Sequence, residues 1–289
     1  MKLCRYGPVG AEKPGLIHPD GSLRDLSPHL ADIDGAVLGA DSLARLAAID
    51  PDSLALVEGS PRFGAPLAAV PKFVAIGLNF ADHAKEAGLE PPPEPIFFFK
   101  ATSCIQGPDD PVMLPMDATK ADWEVELGVV IGKTARYVDE TRALEHVAGY
   151  LLVNDVSERA FQKERGSQWD KGKGCDTFGP IGPWLVTRDE VPDPQALDMW
   201  LDLNGRRMQA GNTCTQIFGV AQVVAYVSRF MTLVPGDIIT TGTPPGVGEG
   251  QKPAPVWLKA GDIMRLGVQG LGEQTQQVIP FSLSQEGDA

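Results

Sequence analysis

Two glutamates one residue apart, Glu124 and Glu126, sit in Asp122-Trp123-Glu124-Val125-Glu126-Leu127-Gly128-Val129-Val130-Ile131-Gly132. From Val125 onward this run is apolar and β-branched, which reads as a buried strand. Alternate residues of a strand share a face, so the two carboxylates project together, roughly 6.6 Å apart along the backbone. Held side by side at the edge of an apolar strand, they lose water and repel each other, so a compensating positive charge is expected. A hard divalent cation, Mg²⁺ or Mn²⁺, prefers such oxygen ligands. A third acid, Asp155, ends the similar run Tyr150-Leu151-Leu152-Val153-Asn154-Asp155-Val156. A second strand returning to the same place completes a three-carboxylate site, which waters or substrate oxygens would fill to an octahedron. The competing reading is three acids facing solvent from an exposed strand.

Other residues carry complementary chemistry. His83 and Glu86 are three apart in Ala81-Asp82-His83-Ala84-Lys85-Glu86. On a helix they are neighbours. A carboxylate beside an imidazole fixes its tautomer and raises its basicity, a dyad able to deprotonate water. The alternative is an incidental pair on a surface helix. Arg159 and Gln162 follow the third acid closely. Lys171 and Lys173 stand among glycines, whose freedom lets an ammonium approach a substrate, although such a charge run is often a solvated loop. Thr243, in Thr241-Gly242-Thr243-Pro244, follows a strand and offers a hydroxyl and backbone N–H groups to an anion.

The elements that must position these residues read as a β-rich α+β fold, with many short strands and Gly/Pro turns. A small N-terminal domain is expected over residues 1–70, with a turn at His18-Pro19-Asp20-Gly21-Ser22 and a helix near 41–48. The catalytic domain, 71–289, opens with a strand at Lys72–Gly77. A helix is expected over 81–87, and strands near 97–100, 201–203, 256–258 and 262–268. The turn at Asn204-Gly205 leads toward a long helix from about Gln216 to Met231.

The chain has 289 residues, 22% of them charged, and a net charge of −13. That composition is globular. The acidic balance argues against nucleic acid and anionic membranes as partners. No apolar run reaches the ~18 residues of a membrane span, and the first residues lack a signal-peptide core. Four scattered cysteines without a C-x-x-C pair suggest free thiols and a cytoplasmic protein.

In order and spacing, Gly77-Leu78-Asn79-Phe80 with His83 and Glu86, Glu124-Val125-Glu126, Asn154-Asp155, the block from Lys171 to Pro180, and Thr241–Pro244 resemble the fumarylacetoacetate hydrolase superfamily. The match covers about residues 70 to 280, with Phe80 where Tyr is common. The opening Met1–Gly7 and Lys13–Leu16 are also similar to bacterial 2,4-diketo-3-deoxy-L-rhamnonate/fuconate hydrolases of that superfamily. The resemblance implies a mixed β-roll/β-sandwich catalytic domain, usually in a homodimer. It implies Mg²⁺ or Mn²⁺ held by Glu124, Glu126 and Asp155. The implied substrate is a small anionic 2,4-diketo acid, cleaved between C3 and C4 to release pyruvate. His83 and Glu86 would activate water, Lys173 would stabilise an oxyanion, and Arg159, Gln162 and Thr243 would orient the substrate. Oxaloacetate decarboxylation and hydroxymuconate-type isomerisation use the same metal–enolate chemistry. A non-catalytic binding protein has no use for the dyad.

Overall fold

The computed structural model describes residues 1–86 and 88–283. The molecule is a mixed α+β structure dominated by strands. Nine strands form one sheet, in the spatial order Leu23–Asp25, Lys13–Ile17, Lys2–Tyr6, Leu185–Thr187, Val147–Asn154, Val125–Ile131, Ile238–Thr240, Phe73–Gly77 and Ile96–Lys100. Ile238–Thr240 pairs parallel to Phe73–Gly77, and the other neighbours run antiparallel. The two central strands, Val125–Ile131 and Val147–Asn154, are buried along their whole length. Their near-continuous Val, Leu and Ile content reflects cover on both faces. Leu3, Leu16 and Leu26 from the N-terminal segment join the same core as Leu127, Val130 and Leu151.

A second, five-stranded sheet runs Arg206–Asn212, Asp198–Leu203, Ile263–Val268, Gly272–Ile279 and Val112–Met113. It buries Met199, Leu201, Met264 and Leu266 in the common core. Three buried glutamines tie it to the first sheet. Gln209 accepts from Val125 N (3.0 Å), Gln274 donates to the Leu152 and Gly182 carbonyls (2.9 and 2.8 Å), and Gln276 accepts from Asn154 Nδ2 (3.0 Å). Gln209 thereby satisfies the Val125 N–H, and Gln274 adds a second donor to a Leu152 carbonyl that also accepts from Gly182 N.

The turn at His18–Ser22 is present, closed by Gly21 N to His18 O, and the first helix spans Ala40–Ala47. Asn204 and Gly205 both adopt positive φ, as a two-residue hairpin turn requires. The helix carrying the dyad is Ala81–Glu86, and position 87 lies outside the described residues. Two expectations are corrected, and one competing reading is set aside. The helix expected over 216–231 is only Val220–Val227. Its N-terminal part is held extended because Asn79 binds Phe218 through both its amide atoms and Ile217 N donates to the Asn79 carbonyl. Residues 256–258 are not a strand, although Val256 N and Leu258 N bond to Gly248 and Ala121. The lysine-glycine stretch is no solvated loop: Asp170–Lys173 is a helical turn that buries Lys173. Gly172 permits this, since a Cβ there would meet the Glu158 carbonyl at 2.3 Å. Among the described residues no helix is long and apolar enough to cross a membrane.

Candidate active site

Strand register explains how three acids separated in sequence meet. Glu126 is the second residue of Val125–Ile131, and Glu124 immediately precedes that strand. The antiparallel neighbour pairs Val153 with Glu126 and Asn154 with Val125, which carries Asp155 to the position opposite Glu124. The Asp155 N–H closes the ladder on the Glu124 carbonyl at 2.9 Å. One carboxylate oxygen from each of Glu124, Glu126 and Asp155 lies within 4.8 Å of the others, and all three residues are buried.

Three buried cations surround them. Lys173 Nζ donates to Glu124 Oε2 and Asp155 Oδ2, both at 2.6 Å. Arg159 reaches Glu124 Oε1 at 2.6 Å and Asp122 Oδ2 at 2.9 Å. Lys100 Nζ is 2.6 Å from Asp155 Oδ1, a charge contact whose angle falls short of a hydrogen bond. Lys100 instead donates to the carbonyls of Val156 and Lys173, pinning the turn that bears Lys173. With Asp122, Glu124, Glu126 and Asp155 ionised, the four carboxylates exceed these three cations by one charge.

The environments of the two glutamates diverge. Burial pushes the Glu124 carboxyl up, but Lys173 and Arg159 outweigh it and hold it well below the usual carboxylate range. Burial also raises Glu126, and repulsion from Asp155 and Glu124 adds to it, so Glu126 stands well above that range. Its Oε2 accepts from Thr240 Oγ1 at 2.5 Å and from Gly242 N at 2.8 Å. Burial pulls Lys173 down, yet Asp155 and Glu124 prevail and keep it firmly protonated.

These facts fit a hard divalent cation. The donors are all carboxylate oxygens, Asp155 Oδ1 is buried with no aligned hydrogen bond, and release of the Glu126 proton leaves the cluster one net negative charge. A divalent ion would reverse the sign of the site and leave it matched to an anionic ligand.

His83 Nδ1 lies 3.0 Å from Glu86 Oε2, and Glu86 Oε1 also accepts from Gly246 N at 3.0 Å. Burial pushes Glu86 up, but the hydrogen bonds from His83 and Gly246 outweigh it and keep it ionised. A carboxylate at Nδ1 favours the tautomer with its proton there, which leaves Nε2 as the basic nitrogen. Asn79 anchors this end by donating to the Thr241 and Phe218 carbonyls at 2.8 and 3.0 Å.

His83, Glu86, Glu124, Glu126, Asp155, Arg159, Gln162, Lys173 and Thr243 all line one cavity of about 490 Å³. Arg159 Nη1 donates to Gln162 Oε1 at 3.2 Å. The Thr243 hydroxyl is engaged within the protein, donating to the Val125 carbonyl (2.9 Å) and accepting from Gln209 (2.7 Å). Sequence reasoning missed Lys100 and Asp122. Asp122 belongs to the same alternating row as Glu124 and Glu126, and Lys100 ends an aromatic strand as Asp155 ends an aliphatic one. Both signals were there to be read.

Residues 72–279 match the family described as fumarylacetoacetate (FAA) hydrolase C-terminal. The chain belongs to the fumarylacetoacetate hydrolase family. A Burkholderia lata protein, named as a hydrolase and no further, is 65% identical over 276 residues, covering 96% of this chain and 98% of its own. Among solved structures, a Mycobacterium abscessus protein that bears the name of a 2-hydroxyhepta-2,4-diene-1,7-dioate isomerase aligns with a TM-score of 0.83 at 32% identity, covering 98% of this chain and 100% of its own. Maleylpyruvate hydrolase from Sphingobium sp. SYK-6, in complex with manganese(II) and pyruvate, aligns with a TM-score of 0.79 at 30% identity, again over 98% and 100%. The fumarylacetoacetate hydrolase family thus includes neighbours of this chain with both hydrolase and isomerase names.

Proposed function

We propose that the protein is a metal-dependent hydrolase that cleaves the C3–C4 bond of a 2,4-diketo acid, an acylpyruvate or a 2,4-diketo-3-deoxy-sugar acid, releasing pyruvate and a carboxylic acid. The observation that carries this reading is a single cavity holding both a three-carboxylate cluster and a His83–Glu86 dyad. Glu124, Glu126 and Asp155 would hold Mg²⁺ or Mn²⁺. When bound, such an ion supplies Lewis-acid stabilisation of negative charge on the keto-acid head. His83 Nε2 takes a proton from water, and Glu86 orients and stabilises the imidazolium that results. The oxygen of that water bonds to C4, and the C3–C4 bond breaks with its electron pair passing to C3. Protonation of C3 then yields pyruvate. Lys173 spends two of its three N–H donors on Glu124 and Asp155, and the third is available to an oxyanion. Arg159 and Gln162 position the anionic head.

The Sphingobium maleylpyruvate hydrolase, with its manganese and pyruvate, supports this reading. The Mycobacterium abscessus isomerase supports a second one, in which the dyad moves a proton between carbons without attack by water. Incubation with acylpyruvate, 2,4-diketo-3-deoxy-sugar acid and oxaloacetate, with Mg²⁺ or with EDTA, separates them. Metal-dependent pyruvate plus a carboxylic or hydroxy acid is expected. Pyruvate and CO₂ from oxaloacetate alone would make the protein a decarboxylase. Double-bond migration in a hydroxymuconate-type acid, with no pyruvate from any diketo acid, would make it an isomerase. Homodimeric assembly belongs to the same proposal, and light scattering checks it.

A further inference from the structure

The cavity has two chemically distinct ends. One is the charged floor already described. The other is an apolar wall made by Leu78, Leu89, Ile96, Phe98 and Trp169. Ile96 and Phe98 are alternate residues of one strand and so share a face. Gly77 pairs opposite Ile96, and its lack of a side chain admits the Trp169 ring, since a Cβ there would stand 2.6 Å from Trp169 Cζ3. Trp169 meets Phe98 edge-on, with centroids 5.2 Å apart. Lys173 Nζ lies 5.5 Å from the centre of the Phe98 ring, so Phe98 joins the charged floor to the wall. Leu89 and Ile96 are 54% and 38% exposed, which places the solvent-facing end of the wall beyond the aromatic pair.

We infer that this wall selects a 2,4-diketo acid whose distal acyl group is apolar, in preference to one bearing hydroxyls. The inference rests on the hydrolase reading for the position of the keto-acid head at the floor. Among these five side chains Trp169 Nε1 is the single polar atom, and it can only donate. A hydroxyl laid against Phe98 gives up water and finds no acceptor, at a cost of about tenfold in transition-state binding. A distal carboxylate is a separate case, because Lys252 also lines the cavity beside the Lys163–Glu249 pair, so the selection concerns neutral groups. Each methylene buried on the wall should instead gain about fourfold. The wall therefore favours simple acylpyruvates over the deoxy-sugar acids suggested by the N-terminal sequence.

The test is a comparison of kcat/KM, read as pyruvate released in the presence of Mg²⁺, across substrates sharing one head. 2,4-Dioxoheptanoate should exceed 2,4-dioxopentanoate roughly 15-fold, from two added methylenes. 5-Hydroxy-2,4-dioxohexanoate should fall about tenfold or more below 2,4-dioxohexanoate. Trp169→Ser should flatten the chain-length series. A hydroxylated substrate equal to its apolar counterpart, a flat series in the unaltered protein, or a slope retained in Trp169→Ser would overturn the inference. Absence of turnover with every diketo acid would remove the hydrolase reading instead. Calorimetric binding of 2-oxobutanoate and 2-oxooctanoate then judges the wall alone: tighter binding of the longer acid upholds it, and equal binding overturns it.

Discussion

Replacing Glu126 by Gln removes one of three mutually repelling carboxylates while keeping the shape of the side chain. Oxygens within 4.8 Å of each other repel by about 3.5 kcal/mol per pair at an effective dielectric near 20. Lys173 and the donors on Thr240 and Gly242 offset much of this, and the two donors remain available to the amide oxygen. A net gain of about 2 kcal/mol is expected for the metal-free protein. For a chain of this size that is on the order of 5 °C in Tm. A divalent ion at a hundred times its Kd should add about 2.7 kcal/mol to the unaltered protein, and the variant should lose most of that increment. Because Glu126 titrates above its unfolded value, the folded protein retains a proton that the unfolded chain has released. Stability owed to that proton is complete below the unfolded pKa and fades as pH rises through the folded one. Metal-free protein should therefore lose stability from about pH 4.3 upward on this account, and Glu126→Gln should lose less. The assay is thermal melting in EDTA and in Mg²⁺ across pH. A variant that melts below the unaltered protein in EDTA, or that keeps the full metal increment, would refute the reasoning.

Three more outcomes follow from the same geometry. His83→Ala should lower kcat by roughly 10²–10⁴ and leave the Mg²⁺-induced rise in Tm intact, because His83 touches none of the three acids. Lys100→Met should cost about 3–5 kcal/mol in denaturant titration, since it strips a buried cation from Asp155 and leaves two carbonyls unpaired. Asn79→Ala should cost about 3 kcal/mol by the same measurement, as three hydrogen bonds joining the strand exit to Phe218 and Thr241 are lost.

The acids and the dyad were legible because their signals are local. Period-2 alternation places Glu124 and Glu126 together, and a three-residue spacing joins His83 to Glu86. What brings Asp155 to them is strand register, which sequence suggests but does not supply. Lys173 was identified through its motif, yet its burial depends on the close approach of Gly172 to Glu158, a contact between elements with no local trace. The helix expected from Gln216 was too long for the same reason. Its apolar spacing is real, but Asn79, far away in the chain, claims the backbone at Phe218 first.

The three buried glutamines have a consequence for how the acids keep their spacing. Asn154 accepts from Glu124 N and donates to Gln276, which in turn donates to Gln274, itself bound to the Leu152 carbonyl. On the other side Gln209 links Val125 to Thr243. Side-chain amides act here as alignment pins. The two sheets cannot slide past one another by even one residue without withdrawing partners from the backbone at Val125 and Leu152. The separation between carboxylates is thus set by the register of two neighbouring strands that the second sheet holds in place, and not by the loops around the cavity. Loops at the mouth are free to drift toward new substrates while the reacting centre holds its dimensions.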